Sequence, residues 1–193
     1  MTRESLPPSY FDDLYARDPD PWRFRTSDYE RAKYADTVDA LEGRRFRRAV
    51  EVGCAIGELT AWLAPLCDDL LGVDVAEAAL AQARTRNADR PHVRFARMTL
   101  PRERPERRFD LIVLSEVLYY FGPEDLERVA RWTVEALEPG GVALLAHWLG
   151  ETPDYPRTGD EAVEAFLRAA PELTTDLRRR RERYRLDRLA SPA

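Results

Sequence analysis

Short apolar runs alternate along this 193-residue chain with stretches whose apolar residues recur three and four positions apart. That is the rhythm of strands and helices following one another. Ser9 to Arg17 predicts a short helix, with Tyr10, Phe11, Leu14 and Tyr15 on one face. Asp18-Pro19-Asp20-Pro21-Trp22 must then be non-helical, because a residue before proline is pushed towards extended geometry. Ser27 to Glu30 has the form of a capping box and starts a helix to about Leu41. Tyr34, Val38 and Leu41 share one side of it, and Gly43 is its expected stop. Residues 1–8 are expected to be frayed or loosely packed.

Val50-Glu51-Val52 then reads as a short buried strand that breaks into the glycine turn Gly53-Cys54-Ala55-Ile56-Gly57. A helix follows over 57–66, a strand over 70–75, an alanine-rich helix from Ala76 to about Asn87, and a third strand from Val93 to Ala96. Beyond a charged loop at 101–108, the near-continuous apolar run Phe109 to Leu114 fits a central parallel strand buried on both faces. Gly122-Pro123 opens a helix to Leu137, with proline in its first turn. Glu138-Pro139-Gly140-Gly141 is a turn, and Val142 to Ala146 the fifth strand. Thr158 to Glu161 is a second capping box, starting a helix to about Ala169, and the tail from Glu172 to Leu189 suits a pair of antiparallel strands. Alternating strands and helices predict an α/β fold, a Rossmann-like doubly wound sheet in an α/β/α sandwich, mostly parallel with an antiparallel C-terminal strand. By length it is one domain, with an N-terminal helical cap over residues 1–44 and the core over 45–193.

Strand, glycine turn, helix is the nucleotide-binding opening of such folds, where glycine lets backbone approach a ligand. Asp74 ends the next strand, about 20 residues past the first glycine, where a carboxylate receives ribose hydroxyls. The kind of nucleotide follows from charge. The spacing is Gly53-x-Ala55-x-Gly57, and Glu58 stands where a dinucleotide fold has its third glycine. With Glu51 close by, those carboxylates repel a pyrophosphate and suit a ligand that carries an ammonium group and no phosphate. S-adenosylmethionine is such a ligand. An ordinary glycine turn without a ligand is the plain alternative.

Composition narrows the partners. A net charge of −5 argues against nucleic acid as the main partner. Two cysteines, Cys54 and Cys67, make no disulfide framework, which points to a reduced, cytoplasmic protein. No signal-peptide run is present, and no apolar stretch approaches the ~18 residues of a membrane span. No Cys/His cluster suggests zinc and no carboxylate set demands magnesium, so no metal is expected. Nothing in the sequence sets an oligomeric state.

Taken together these residues resemble the class I S-adenosylmethionine-dependent methyltransferases, and more narrowly the nodulation-protein-S-like methyltransferases, whose type member N-methylates an amino-sugar oligosaccharide. The stretches that carry the resemblance run from Tyr10 to Leu189: Asp20-Pro21-Trp22-Arg23-Phe24, Tyr29 to Tyr34, Glu51 to Gly57, Phe109 to Tyr120, His147-Trp148 and Asp154-Tyr155-Pro156. The resemblance implies that Glu51, Gly53 and Gly57, with Cys54 and Ala55 in the same turn, line the methionine end of the cofactor. Asp74 with Val75 would then hold the ribose, and Asp74→Ala would weaken binding while leaving the fold intact. The acid that often follows the third strand is missing, so adenine would rely on Met98 and Thr99. Tyr34 and Ser115 complete the implied cofactor set.

Trp22, Tyr29, Tyr119, Tyr120 and Trp148 are the candidate acceptor-binding residues, and Glu116 and His147 the candidate general bases. Trp22, Tyr29 and Tyr34 can equally be anchors for the N-terminal helices. Lys33 is expected to be solvated or ion-paired, and the arginines at 178–181 to mark an exposed sheet edge. The implied reaction moves a methyl group to the amine of a small, amino-sugar-like acceptor, leaving S-adenosylhomocysteine. The alternatives are a cofactor-binding protein without transferase activity, an O-methyltransferase of a small metabolite, and a nucleotide-dependent oxidoreductase, the last disfavoured by Glu58.

Overall fold

The structure, a computed structural model, describes residues 4–193. Two compact units divide the chain: Pro7–Thr99, and Leu100–Ala193 together with residues 4–6.

In the N-terminal unit the order is α1 (Pro8–Arg17), α2 (Asp28–Asp39), β1 (Ala49–Val52), α3 (Glu58–Leu63), β2 (Leu70–Asp74), α4 (Glu77–Arg86) and β3 (Val93–Arg97). Strand β2 lies between β1 and β3 and is parallel to both. All four residues of β1 are buried. Gly72 pairs with Glu51 on one side and Phe95 on the other. A Cβ on Gly72 would come within 2.7 Å of the Phe95 ring, so glycine is what allows that ring to lie over the strand.

The proline-rich segment between α1 and α2 is held by one carboxylate: Asp20 accepts from Phe24 N–H at 2.8 Å and Arg25 N–H at 3.1 Å. At the start of α2, Ser27 accepts from Glu30 N–H at 3.2 Å, but Glu30 turns its carboxylate to Lys33 instead of back to the cap. Half of the expected capping box therefore forms. The helix stops at Asp39 instead of Leu41, and the chain leaves it through left-handed Glu42 and Gly43, at φ 54° and 66°.

The C-terminal unit contains β4 (Phe109–Ser115), α5 (Pro123–Ala136), β5 (Leu137–Trp148), α6 (Gly159–Ala169), β6 (Thr174–Arg180) and β7 (Tyr184–Ala190). Strands β4 and β5 are parallel, β7 runs antiparallel to β5, and β6 antiparallel to β7. From Leu111 to Ser115 strand β4 is buried throughout, as its unbroken apolar run requires. Helix α6 begins with a complete capping box between Thr158 and Glu161.

Two expectations change here. Strand β5 begins at Leu137, because Leu137 already pairs with Phe109 before the register jumps to Leu111 with Val142. Residues 138–141 bulge between those pairs, with Gly140 at φ 70°, so the expected turn lies inside the strand. Residues 4–6 are not loose either. Leu6 N–H bonds Tyr120 O at 2.9 Å, Ser5 Oγ accepts from Gly122 N–H at 2.9 Å and donates to Asp125 at 2.6 Å. Ser5 thus caps the start of α5. The expectation for residues 1–3 lies outside the described residues.

Gly57 fixes where α3 begins. It is left-handed at φ 76°, and a Cβ there would sit 2.9 Å from Ala83 Cα and 2.8 Å from Asn87 Nδ2. Asn87 Nδ2 donates to Gly57 O at 3.2 Å, which pins the turn against the end of α4. We expect Gly57→Ala to destabilise the protein by about 2–4 kcal/mol, from overpacking and the left-handed φ together. Urea unfolding measures it; a loss under about 1 kcal/mol would show that the turn moves freely away from α4.

Candidate functional site

The glycine turn takes its shape from Asp74 at the end of β2. One carboxylate oxygen accepts from Ala55 N–H and the other from Ala76 N–H, both at 2.9 Å. Gly53 and Cys54 both donate to Val73 O, at 2.8 and 3.1 Å. Ala55 is thereby held at φ 48°, a left-handed conformation that usually calls for glycine. Burial raises the Asp74 pKa, while the amides of Ala76, Ala55 and Val75 pull it back. A carboxylate with its amide bonds in place still has lone pairs to accept hydroxyl hydrogens.

At the end of β1, Glu51 is 1% exposed. Thr60, a polar position within α3, donates Oγ1 to Glu51 Oε2 at 2.5 Å. Burial pushes the Glu51 carboxyl up to about 8; the Thr60 bond lowers it in part and nearby Asp74 adds to the rise. At neutral pH the group is mostly protonated, and a cation beside it would ionise it. Glu58 is also raised by burial, countered by Arg86 at 2.8 Å. Glu58 thus has a cation partner, whereas Glu51 is met by the Thr60 hydroxyl.

Lys33, the only lysine among the 30 basic residues, is 2% exposed and binds both oxygens of Glu30 at 3.0 Å. It is ion-paired and not solvated, with its ammonium 5.2 Å from the centre of the Tyr29 ring. Tyr34 is buried beside this pair, and burial, then Glu30, Glu51 and Glu58, raise its phenol pKa. Trp22 stacks on Phe24 and packs with Phe11 against Tyr15, Ile56, Ala76 and Ala79. These contacts give Trp22 an anchoring role in the N-terminal unit. Met98 N–H bonds Asp74 O at 3.0 Å, continuing β3 past Arg97, while Val75 O accepts from Arg97 Nε at 2.8 Å.

In the C-terminal unit the residues at and beyond the ends of β4 and β5 gather into one cluster. Glu116 sits at φ 56°, and its Oε2 accepts from Tyr119 O–H at 2.7 Å and Trp148 N–H at 2.9 Å. Left-handed backbone at a residue with a side chain costs about 1–2 kcal/mol and persists where other contacts over-determine it. Here those contacts are the carboxylate bonds and Glu116 N–H to Ala146 O at 2.8 Å. Tyr119 stacks with Tyr155 at 5.4 Å and meets Tyr120 edge-on at 4.7 Å. The Trp148 ring covers Gly150, where a Cβ would have no room. Ser115, the last residue of β4, is buried.

His147 belongs to this cluster as well. It is fully buried, and its Nε2 accepts from Leu118 N–H at 3.1 Å. That bond occupies the lone pair a base would use at Nε2, and Tyr119 covers the ring at 5.6 Å. His147 therefore helps to hold the turn that carries Leu118 to Tyr120.

Sequence reasoning missed Thr60 and gave Tyr155 no role. Thr60 left one signal, a hydroxyl within the stripe of Leu59 and Leu63, fully buried in the structure. Among the described residues no helix is long and apolar enough to cross a membrane.

Residues 10–145 match the nodulation protein S (NodS) family. Nodulation protein S of Bradyrhizobium diazoefficiens is 41% identical over 107 residues, covering 52% of this chain and 49% of that protein. Nodulation protein S of Rhizobium tropici is 36% identical over 124 residues, covering 63% of this chain and 52% of that protein. The chain thus spans about half the length of these relatives. Among solved structures, N-methyltransferase NodS from Bradyrhizobium japonicum in complex with S-adenosyl-L-homocysteine superposes with a TM-score of 0.83 at 25% identity, covering 96% of this chain and 98% of that one. A methyltransferase fold from Pseudomonas syringae, assigned that activity only provisionally, gives 0.72 at 38% identity, covering 84% and 98%. The α/β fold is of this Rossmann-like kind, mostly parallel with antiparallel strands at the C-terminus.

Glu51 makes stability depend on pH in a fixed direction. A carboxyl raised in the folded state from 4.5 to about 8 contributes stability that is complete below pH 4.5 and is lost as pH rises through 8. We expect the ligand-free protein to lose up to about 1.4 kcal/mol per pH unit from this group across that window. Glu51→Gln, neutral at every pH, should flatten the slope in urea titrations between pH 5.5 and 8. Parallel slopes in the two proteins would contradict the burial-driven shift.

Proposed function

Because the chain belongs to the nodulation protein S family, we propose that it is an S-adenosylmethionine-dependent methyltransferase acting on the amine of a small, amino-sugar-like acceptor. The observation that carries the reading is Glu51, a buried carboxyl raised to about 8 and short of a cation. An α-ammonium group supplies that charge. Asp74, anchored by two amides, offers its remaining lone pairs to a ribose, and no basic group in the turn calls for a phosphate. Together these residues fit an amino acid joined to a nucleoside. Once bound, such a cofactor supplies an electrophilic methyl group on sulfonium.

The chain's own part is positioning and one proton. Alignment of reactants can contribute about 7–11 kcal/mol to a transfer of this kind. An ammonium acceptor must lose its proton before it attacks, and Glu116 is the base proposed to take it. Tyr119 O–H and Trp148 N–H both donate to Oε2, so the carboxylate is held in one orientation. Tyr119, Tyr120 and Tyr155 form an aromatic cluster beside Glu116 and Trp148 in the same unit, and aromatic residues of this kind suit a sugar ring. Cys54, Gly53, Ala55, Gly57, Val75, Met98, Thr99 and Tyr34 are proposed to surround the cofactor, with Tyr29 and Trp22 supporting the N-terminal helices.

Two variants separate binding from chemistry. Glu116→Gln should keep S-adenosylhomocysteine affinity within a few-fold and lower turnover by ~10²–10⁴-fold. Asp74→Ala should weaken that affinity at least tenfold, since bonds to a charged acceptor are worth about 1.5–3 kcal/mol. It should also lower the melting temperature of the ligand-free protein, because Ala55 and Ala76 lose their acceptor. Calorimetry and mass spectrometry of methylated amino sugars read these outcomes. Wild-type turnover by Glu116→Gln would move the base elsewhere, and unchanged affinity in Asp74→Ala would remove the ribose site.

A further inference from the structure

Tyr15, the last buried residue of α1, has a hydroxyl with no hydrogen-bond partner. The side chain is 6% exposed. Buried tyrosine hydroxyls normally find a partner, since leaving one unmade costs the desolvation of the group. The ring packs on Ile56 and Ala76, with Trp22 edge-on at 5.8 Å. Ile56 follows Ala55, so these neighbours flank the two amides, Ala55 and Ala76, that hold the Asp74 carboxylate. Burial is the first cause of the raised Tyr15 pKa, and Asp74, Cys54 and Asp20 are the charges that add to it. Packing with Ile56 and Ala76 sets the ring beside the turn that Asp74 holds, and the hydroxyl bonds none of its groups. Packing alone does not explain an oxygen here, because phenylalanine would fill the same space without an unmet donor.

We propose that Tyr15 is a cofactor-binding residue whose O–H donates to a ribose hydroxyl oxygen of the bound nucleoside, the hydroxyl that in turn donates to Asp74. The inference rests on the S-adenosylmethionine reading above and adds a residue to it. A ribose hydroxyl is the ligand group that suits both neighbours, since it donates to a carboxylate and accepts from a phenol at the same time. The chain from Tyr15 through the ribose to Asp74 would satisfy the unmet Tyr15 donor. It also links α1, which precedes every strand, to the cofactor. Trp22 lies edge-on to the Tyr15 ring and stacks on Phe24, so aromatic rings rather than polar groups line the rest of this patch.

Tyr15→Phe tests this in the full chain, by calorimetry and thermal melting. The ligand-free variant should melt at or above the wild-type temperature, because an unpartnered buried hydroxyl is removed. Its affinity for S-adenosylhomocysteine should fall about three- to tenfold, the worth of one hydrogen bond. S-adenosylhomocysteine analogues lacking the 2′- or the 3′-hydroxyl identify the bond. One of them should be penalised less in Tyr15→Phe than in wild type, since the variant has already lost the Tyr15 contact. Equal affinity of variant and wild type, with equal penalties for both analogues, would overturn the role of Tyr15 and leave the cofactor reading standing. If wild type itself bound no S-adenosylhomocysteine, the nucleoside reading would fail and Tyr15 with it.

Discussion

The N-terminal unit depends on how one carboxylate is shared. Asp74 ends β2 and ties the turn after β1 to the start of α4 through Ala55 N–H and Ala76 N–H. Without it Ala55 has no reason to stay left-handed, and Gly57 would not be delivered to the narrow space against Ala83 and Asn87. The same group has lone pairs left for a ligand. On the proposed reading binding and folding are two uses of one side chain, and a substitution there cannot be read as a pure binding defect.

The second constraint is charge. Glu51 and Asp74 are both raised by burial, and the turn supplies amides and a threonine hydroxyl but no cation to Glu51. Elsewhere the chain pairs its buried charges closely: Lys33 with Glu30, and Arg185 with Asp187 at 2.8 Å. Against that background an unpaired carboxyl under Thr60 reads as a site held ready for a positive group. Perturbed acids of this kind cluster where chemistry or binding happens. The family match and the NodS structure with S-adenosyl-L-homocysteine support the same reading.

Much of the fold was legible because apolar periodicity reports which face is buried. The glycine turn, Asp74, the Phe109 run and the antiparallel tail all follow from it, and the Thr158 capping box from local chemistry. What escaped was the choice among hydrogen-bond partners, which only tertiary contact decides. Glu30 could serve its cap or Lys33, and burial of Lys33 settled it. His147 could face a substrate or a backbone amide, and Leu118 N–H took its Nε2. Leu137 reads as the end of a helix until its pairing with Phe109 makes it the start of β5. Tyr15 looked like one aromatic in a helix face; its unmet hydroxyl exists only once Ile56 and Ala76 close around the ring.

The central claim is that Glu51 awaits the ammonium of an amino-acid nucleoside. Titration calorimetry of S-adenosylhomocysteine at pH 7, repeated in buffers of different ionisation enthalpy, counts the protons exchanged on binding. A carboxyl that is protonated in the free protein and ionised beside a cation should release close to one proton per ligand. The account expects that release in wild type and its disappearance in Glu51→Gln. Binding without proton release in wild type, or the same release from both proteins, would contradict it.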